Sequence, residues 1–325
     1  MNFIQTGFKG LNDWWMYLVT LVIIFVVIQI GSLPLAFFAL KEVGFDMQEF
    51  QIAAQDNFMK TGMDSSLFLF LMILTFIFGI FGLFIGVKFI HKKKFKWIIT
   101  SRQKVDWNRI FYAFFLWAFV SFTFIAIGIY FEPELYIWNF KLVPFLFLVF
   151  VSLVFLPFQT SLEEFIFRGY LMQGIGLIAK NKWFPLVITS VVFGLLHGAN
   201  PEIEKLGYIA LVFYIGTGFF FGIVTLLDEG TELALGLHAA NNIVAAIFVT
   251  ADWTVFQTDA LYIDTSEPSV GLEMFLPVFV VYPIMIFIFS KKYGWTNWKQ
   301  KLFGRVEEPL LIEEIKKKVA TNFTN

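Results

Sequence analysis

Apolar runs of 17 residues or more recur from one end of this chain to the other, with the charges gathered in short clusters between them. A hydrocarbon layer about 30 Å thick is crossed by roughly 20 apolar residues in a helix. On that measure the sequence predicts about eight spans, near 15–40, 67–90, 110–130, 142–178, 183–199, 206–227, 233–250 and 272–290. Backbone amides in lipid must bond within their own segment, so such runs fold as helices. The expected fold is an all-α polytopic transmembrane bundle, with residues 1–290 in the membrane and 291–325 as a tail carrying a short surface helix near 312–319. The fourth run is too long for one straight crossing, and Pro157 or the Gly174/Gly176 pair is expected to divide it. Lys9 is the one basic flank of the first run, which lacks a clear cleavage site and is expected to stay attached as an anchor.

Composition narrows the function. Hydrophobic residues make up 58% of the chain and charged residues 15%, against roughly a quarter charged in a soluble domain. A net charge of -1 gives no basic face for nucleic acid. The absence of Cys removes disulfides, thiolate nucleophiles and thiolate metal ligands together. Orientation follows the basic residues. The segment from His91 to Arg109 holds seven of the Lys and Arg residues, and on the side it defines lie 18 of all 24. That side is expected to be cytoplasmic, with both termini on it. Short loops and the lack of Cys suit a bacterial inner membrane.

An ionised group near the bilayer centre costs roughly 2.5 to 3.5 kcal/mol on insertion scales. Charges well inside the spans fall in one run, Ser161-Leu162-Glu163-Glu164-Phe165-Ile166-Phe167-Arg168. Glu164 and Arg168 stand one helical turn apart and can pair, whereas Glu163 points about 100° away, which leaves it as the carboxylate able to exchange a proton. His197 closes the fifth span; His238 and Asn242 share a face of the seventh. Each feature has a structural reading: a Glu164–Arg168 brace, a core His197, and His238 with Asn241 or Asn242 bonding between helices. A brace does not call for a second glutamate beside the first, so the set together points to chemistry. A proton-coupled transporter also uses intramembrane acids and histidines, but no repeat symmetry is visible. A non-catalytic scaffold or immunity-type protein is the third reading. The Gly82/Gly86, Gly194/Gly198 and Gly218/Gly222 pairs read as helix-packing signals.

Glu163-Glu164-x3-Arg168, Phe193-x3-His197 and His238-x3-Asn242, in that order on separate spans, resemble the motifs of the CAAX-protease and bacteriocin-processing family of intramembrane endopeptidases. The resemblance covers roughly 142–250, and Arg168-Gly169-Tyr170-Leu171 extends it. It implies hydrolysis of a peptide bond in or beside the membrane: Glu163 activates water with His197, His238 and Asn242 hold the oxyanion, and Glu164, Arg168 and Phe193 support them. It also implies a peptide or protein substrate, with or without a lipid, in contact with membrane lipid. No cofactor is favoured. A zinc ion on Glu163, His197 and His238 is the alternative, since two imidazoles and a carboxylate form a known catalytic zinc set.

Depth poses a problem. At about 1.5 Å per residue, Glu164 and His197 lie roughly 22 to 24 Å from Lys180 and Lys182, whereas His238 lies only about 9 Å from Glu232. Either the 228–232 connection dips into the protein or the fourth helix breaks near Gly174. The site cavity is expected to open toward the basic loop.

Overall fold

The computed structural model describes residues 1–309 apart from 56 and 60. Its helices are α1 (Trp14–Glu42), α2 (Met47–Gln55), α3 (Ser65–Ile85), α4 (Trp107–Phe131), α5 (Leu142–Glu164), α6 (Met172–Ala179), α7 (Trp183–Leu196), α8 (Pro201–Leu206), α9 (Leu211–Asp228), α10 (Glu232–Phe248), α11 (Leu272–Leu276), α12 (Tyr282–Tyr293) and α13 (Trp298–Phe303). Among the described residues, six helical segments are long and apolar enough to cross a membrane, and Trp183–Ala199 and Glu232–Phe248 are shorter apolar helices. The polytopic helical bundle is as the hydropathy pattern predicts. The tail helix expected near 312–319 lies outside the described residues.

Helix starts follow local chemistry. The Asp64 side chain accepts from the Leu67 amide at the head of α3, and Asp106 accepts from the Asn108 and Arg109 amides at the head of α4, satisfying donors that the first turn leaves free. Small residues set how closely the helices approach. A methyl group on Gly86 would stand 2.1 Å from the Thr20 side chain of α1, and one on Gly218 would stand 2.6 Å from the Ser190 carbonyl of α7. Both belong to the pairs read as packing signals. Gly198 does not behave this way, because nothing lies within 4 Å of the corresponding point.

The long fourth segment stays helical from Leu142 to Ala179, so neither Pro157 nor the Gly174/Gly176 pair divides it. Its irregularity is a π-helical stretch, Phe165–Leu171, immediately after the two glutamates. The extra length is used beyond the bundle. The α6 turns pack on the 3₁₀ segment Ile4–Lys9, Gly174 receives the Tyr17 ring and Gly176 receives Ile4.

The opposite end carries a small sheet that hydropathy does not announce: β1 (Tyr136–Trp138), β2 (Val249–Thr250) and β3 (Tyr262–Asp264), in the order β1-β3-β2. β1 runs antiparallel to β3, with Tyr136 opposite Asp264, and β2 runs parallel to it.

At the basic end the chain folds inward. The Thr231 amide donates to the Ile99 carbonyl at 2.8 Å, and Ser101 donates to the Glu229 carbonyl at 3.2 Å. Arg102 reaches Asp228 at 2.9 Å and Glu232 at 3.1 Å, and Arg109 also pairs with Asp228. Asp228 accepts a further bond from the Trp295 indole at 3.1 Å. The carboxylates of Asp228 and Glu232 are buried but bonded, which is the condition under which buried charge is tolerated.

Candidate active site

The inward fold at the basic end answers the question of depth. A methyl group on Gly169 would meet the Ile98 carbonyl at 2.4 Å, and Thr231 is bonded to Ile99. Gly169 and Thr231 are therefore held level by adjacent residues of one loop. From there five residues lead to Glu164 and seven to His238, rises of about 7.5 and 10.5 Å. The connection from 228 to 232 dips into the protein, and no break at Gly174 is needed.

At that level His238 Nδ1 and Glu164 Oε1 are 2.8 Å apart, and Arg168 donates to the same carboxylate oxygen at 2.8 Å. Arg168 also donates to the Gly218 carbonyl at 3.2 Å and lies 4.2 Å from the centre of the Phe193 ring. Glu164 and Arg168 are fully buried. A carboxylate accepts, so His238 carries its hydrogen on Nδ1 and turns Nε2 to the far side. There it meets Glu163 Oε2 at 3.6 Å. Two lone pairs would oppose each other unless one atom carries a proton, so this pair is suited to passing one.

Glu163 is aimed by a chain of amides. Gln159 donates to Glu163 Oε1, Asn242 donates to Gln159 at 2.9 Å, Asn241 to Asn242 at 3.2 Å, and the Trp117 indole to Asn241 at 3.3 Å. Glu163 Oε2 has no hydrogen-bond partner in the protein. His197 donates from Nδ1 to the Phe193 carbonyl at 2.8 Å, so its free nitrogen is Nε2. Its ring stacks on Tyr214 with centres 4.5 Å apart and planes at 20°.

Glu163, His197, His238, Asn242 and Phe193 line one cavity of about 300 Å³, together with Gln159, Asn200, Glu202 and Tyr214. Glu164 and Arg168 stand behind it. Gln159 was missed in the sequence, although an amide one turn before Glu163 in an apolar span was a visible signal. Tyr214 and Glu202 carried no such signal, because they reach the site from separate elements.

The cavity does not open toward the basic loop. α7 runs away from Lys182 to His197. α9 ends and α10 begins at the residues paired with Arg102, so the other ends of these helices lie opposite. The rim is built there, by Asn200, Glu202, Val255 and Phe256. Residues 98–102 and the buried 228–232 connection fill the basic side. As for zinc, among the described residues no three His, Asp or Glu side chains form a set able to hold a metal ion. His238 Nδ1 is bonded to Glu164 and His197 Nδ1 to the Phe193 carbonyl, so each imidazole has Nε2 as its remaining nitrogen.

Residues 141–244 match the family model described as type II CAAX prenyl endopeptidase Rce1-like. An uncharacterized protein of Bacillus subtilis strain 168, YyaK, is 29% identical over 263 residues, covering 79% of this chain and 85% of that one. No solved structure matches. Every motif residue singled out in the sequence, from Glu163 to Asn242, falls inside the matched segment, and the resemblance read from those motifs stands: the chain is similar there to the type II CAAX prenyl endopeptidases of the Rce1-like family.

Proposed function

We propose that the protein is an intramembrane endopeptidase in which Glu163 activates the attacking water. The family match supports a CAAX-type intramembrane protease at the level of family. The observation that carries the finer reading is the gathering of Glu163, His197, His238 and Asn242 around one cavity, with Glu163 Oε2 unpartnered. Glu163 takes a proton from water as the oxygen adds to the scissile carbonyl, and His197 Nε2 offers the water a second acceptor. Protonated His238, through Nε2, and the second amide hydrogen of Asn242 donate to the oxyanion. The Glu163 proton then passes to the leaving nitrogen, and the C–N bond breaks. Glu164, held by Arg168, keeps His238 oriented and stabilises its cation, as a buried carboxylate does for a catalytic imidazole. Gln159 aims Glu163.

The family's substrate class extends to this chain as part of the same proposal. A neighbouring cavity of about 370 Å³ shares Phe213, Asn241 and Ala245 with the site and is lined mostly by apolar groups, among them Trp117, Phe124 and Val281. It would take an apolar group attached to the peptide. The test is hydrolysis by the full chain in liposomes of CAAX-tailed peptides with and without a prenyl group. Cleavage that disappears in Glu163→Gln while the folded protein persists is the expected result. Retained cleavage in that variant would assign the water to another base.

A further inference from the structure

Glu202 belongs to none of the three motifs, yet it enters the site cavity from α8. Its Oε1 accepts from the Val255 amide at 2.9 Å, which fastens the segment after β2 over the rim. Its Oε2 is buried and has no hydrogen-bond partner in the protein. Among the described residues no Lys, Arg or His forms an ion pair with it, although Asp228, Glu232 and Glu164 each have one. The titratable group that interacts with it from a neighbouring helix is Tyr214, whose hydroxyl accepts from Asn200 at 3.2 Å. Tyr214 in turn stacks on His197. Glu202, a residue of the cavity wall, therefore carries a carboxylate oxygen with nothing in the protein to complete it.

We propose that Glu202 is a specificity-determining residue that pairs with a cationic group of the substrate, a Lys or Arg side chain or a free amine close to the scissile bond. The assignment rests on the peptidase reading above. The geometry separates two tasks on one side chain, with Oε1 holding Val255 in place and Oε2 left for the ligand. A buried carboxylate oxygen left without a partner is completed best by a charged donor, since charge-assisted bonds are the stronger ones. Burial pushes the Glu202 carboxyl above its ordinary range, so binding a cation draws a proton off it. Preference for cationic substrates should accordingly grow as pH rises above the ordinary carboxylate range, while cleavage of neutral substrates should not follow the same curve.

The experiment uses the full chain in liposomes with fluorogenic peptides in which one Met is replaced by Lys at successive positions around the cleaved bond. At one position Lys should raise kcat/KM by about tenfold over Met. Glu202→Gln should bring that ratio to about one, mainly by raising KM for the Lys peptide, with a several-fold smaller change for the Met peptide. Gln retains a carbonyl for the Val255 amide, so the variant keeps its fold. A ratio near one at every position in the wild type overturns the proposal. So does an equal loss for both peptides in Glu202→Gln, which would leave Glu202 the sole task of holding Val255. If the wild type cleaves none of the peptides, the peptidase reading fails separately. The Kd ratio of the same Lys and Met peptides on Glu163→Gln, against Glu163→Gln with Glu202→Gln, then decides the pairing.

Discussion

The two ends of the bundle both bury carboxylates and treat them differently. At the basic end, Asp228 is shared by Arg102, Arg109 and the Trp295 indole, and Glu232 is held by Arg102. Toward the other end, Glu163 and Glu202 each leave one oxygen without a hydrogen-bond partner, and both line the cavity. A saturated buried charge returns its desolvation cost only by fixing geometry. An unsaturated one keeps that cost available for a ligand or a reacting atom. On the proposed function, satisfaction of hydrogen bonds, more than burial or charge, separates the structural acids from the chemical ones. Glu164 stands between the classes. One of its oxygens is held by Arg168 and His238, and the other is free of partners.

The largest expected effect sharpens this contrast. Glu163→Gln should lower kcat by at least about 10³-fold, because a general base is lost together with its place in the proton path. Its thermal unfolding should stay within about 0.5 kcal/mol, since Gln159 can still bond to the new side chain. A parallel fall in stability would move Glu163 to the structural class. Arg168→Met should do the reverse, leaving Glu164 buried without its cation at a cost of about 3 to 5 kcal/mol, measured by unfolding in detergent. An unchanged melting curve would break the comparison at its centre.

Arg102→Ala tests the basic end with a smaller expected change. Asp228 retains Arg109, and Arg102 is partly exposed, so a loss of about 1 to 3 kcal/mol is expected. Activity should fall as well, because the 228–232 connection sets the level of His238. Activity that survives this loss of stability would show that the height of His238 is fixed elsewhere.

An effect read in pH and not in activity concerns Lys93, buried beside Gln173, to which it donates at 2.7 Å. Burial, reinforced by Lys9, pushes its ammonium down to about 7. Between that value and the ordinary 10.5 the unfolded chain binds the proton and the folded chain does not, so stability should rise with pH across that window and level off below it. Lys93→Met should flatten the rise. A slope unchanged in that variant would place its source in another group.

Much of this was legible in the chain. Eight apolar segments could be counted, and two of them, 183–199 and 232–248, proved shorter than a full crossing. The motif residues were visible because ionisable groups are rare in lipid-facing sequence. The fate of the fourth span was not visible, since the effect of Pro157 or Gly174 depends on what packs beside them. The direction of the cavity is not legible from the basic loop, because its residues 98–102 fold back onto the 228–232 connection only in three dimensions. Gln159 stood in plain sight one turn from Glu163. Glu202 did not, because nothing local distinguishes it from Glu204, its exposed neighbour on the same short helix.

What the sequence determined by itself is the class of fold and the types of residue available for chemistry. Helical segments in lipid follow from the local hydrogen-bonding requirement of the backbone, and the i,i+4 pairs from helical geometry alone. Tertiary structure decided which nitrogen of His238 faces Glu163, which amide aims that carboxylate, and which acids remain unsatisfied. Those outcomes depend on contacts between residues far apart in the chain, 83 positions between Gln159 and Asn242 and 130 between Arg102 and Glu232. No local pattern encodes them, because a hydrogen bond is satisfied or left open only once the helices have packed.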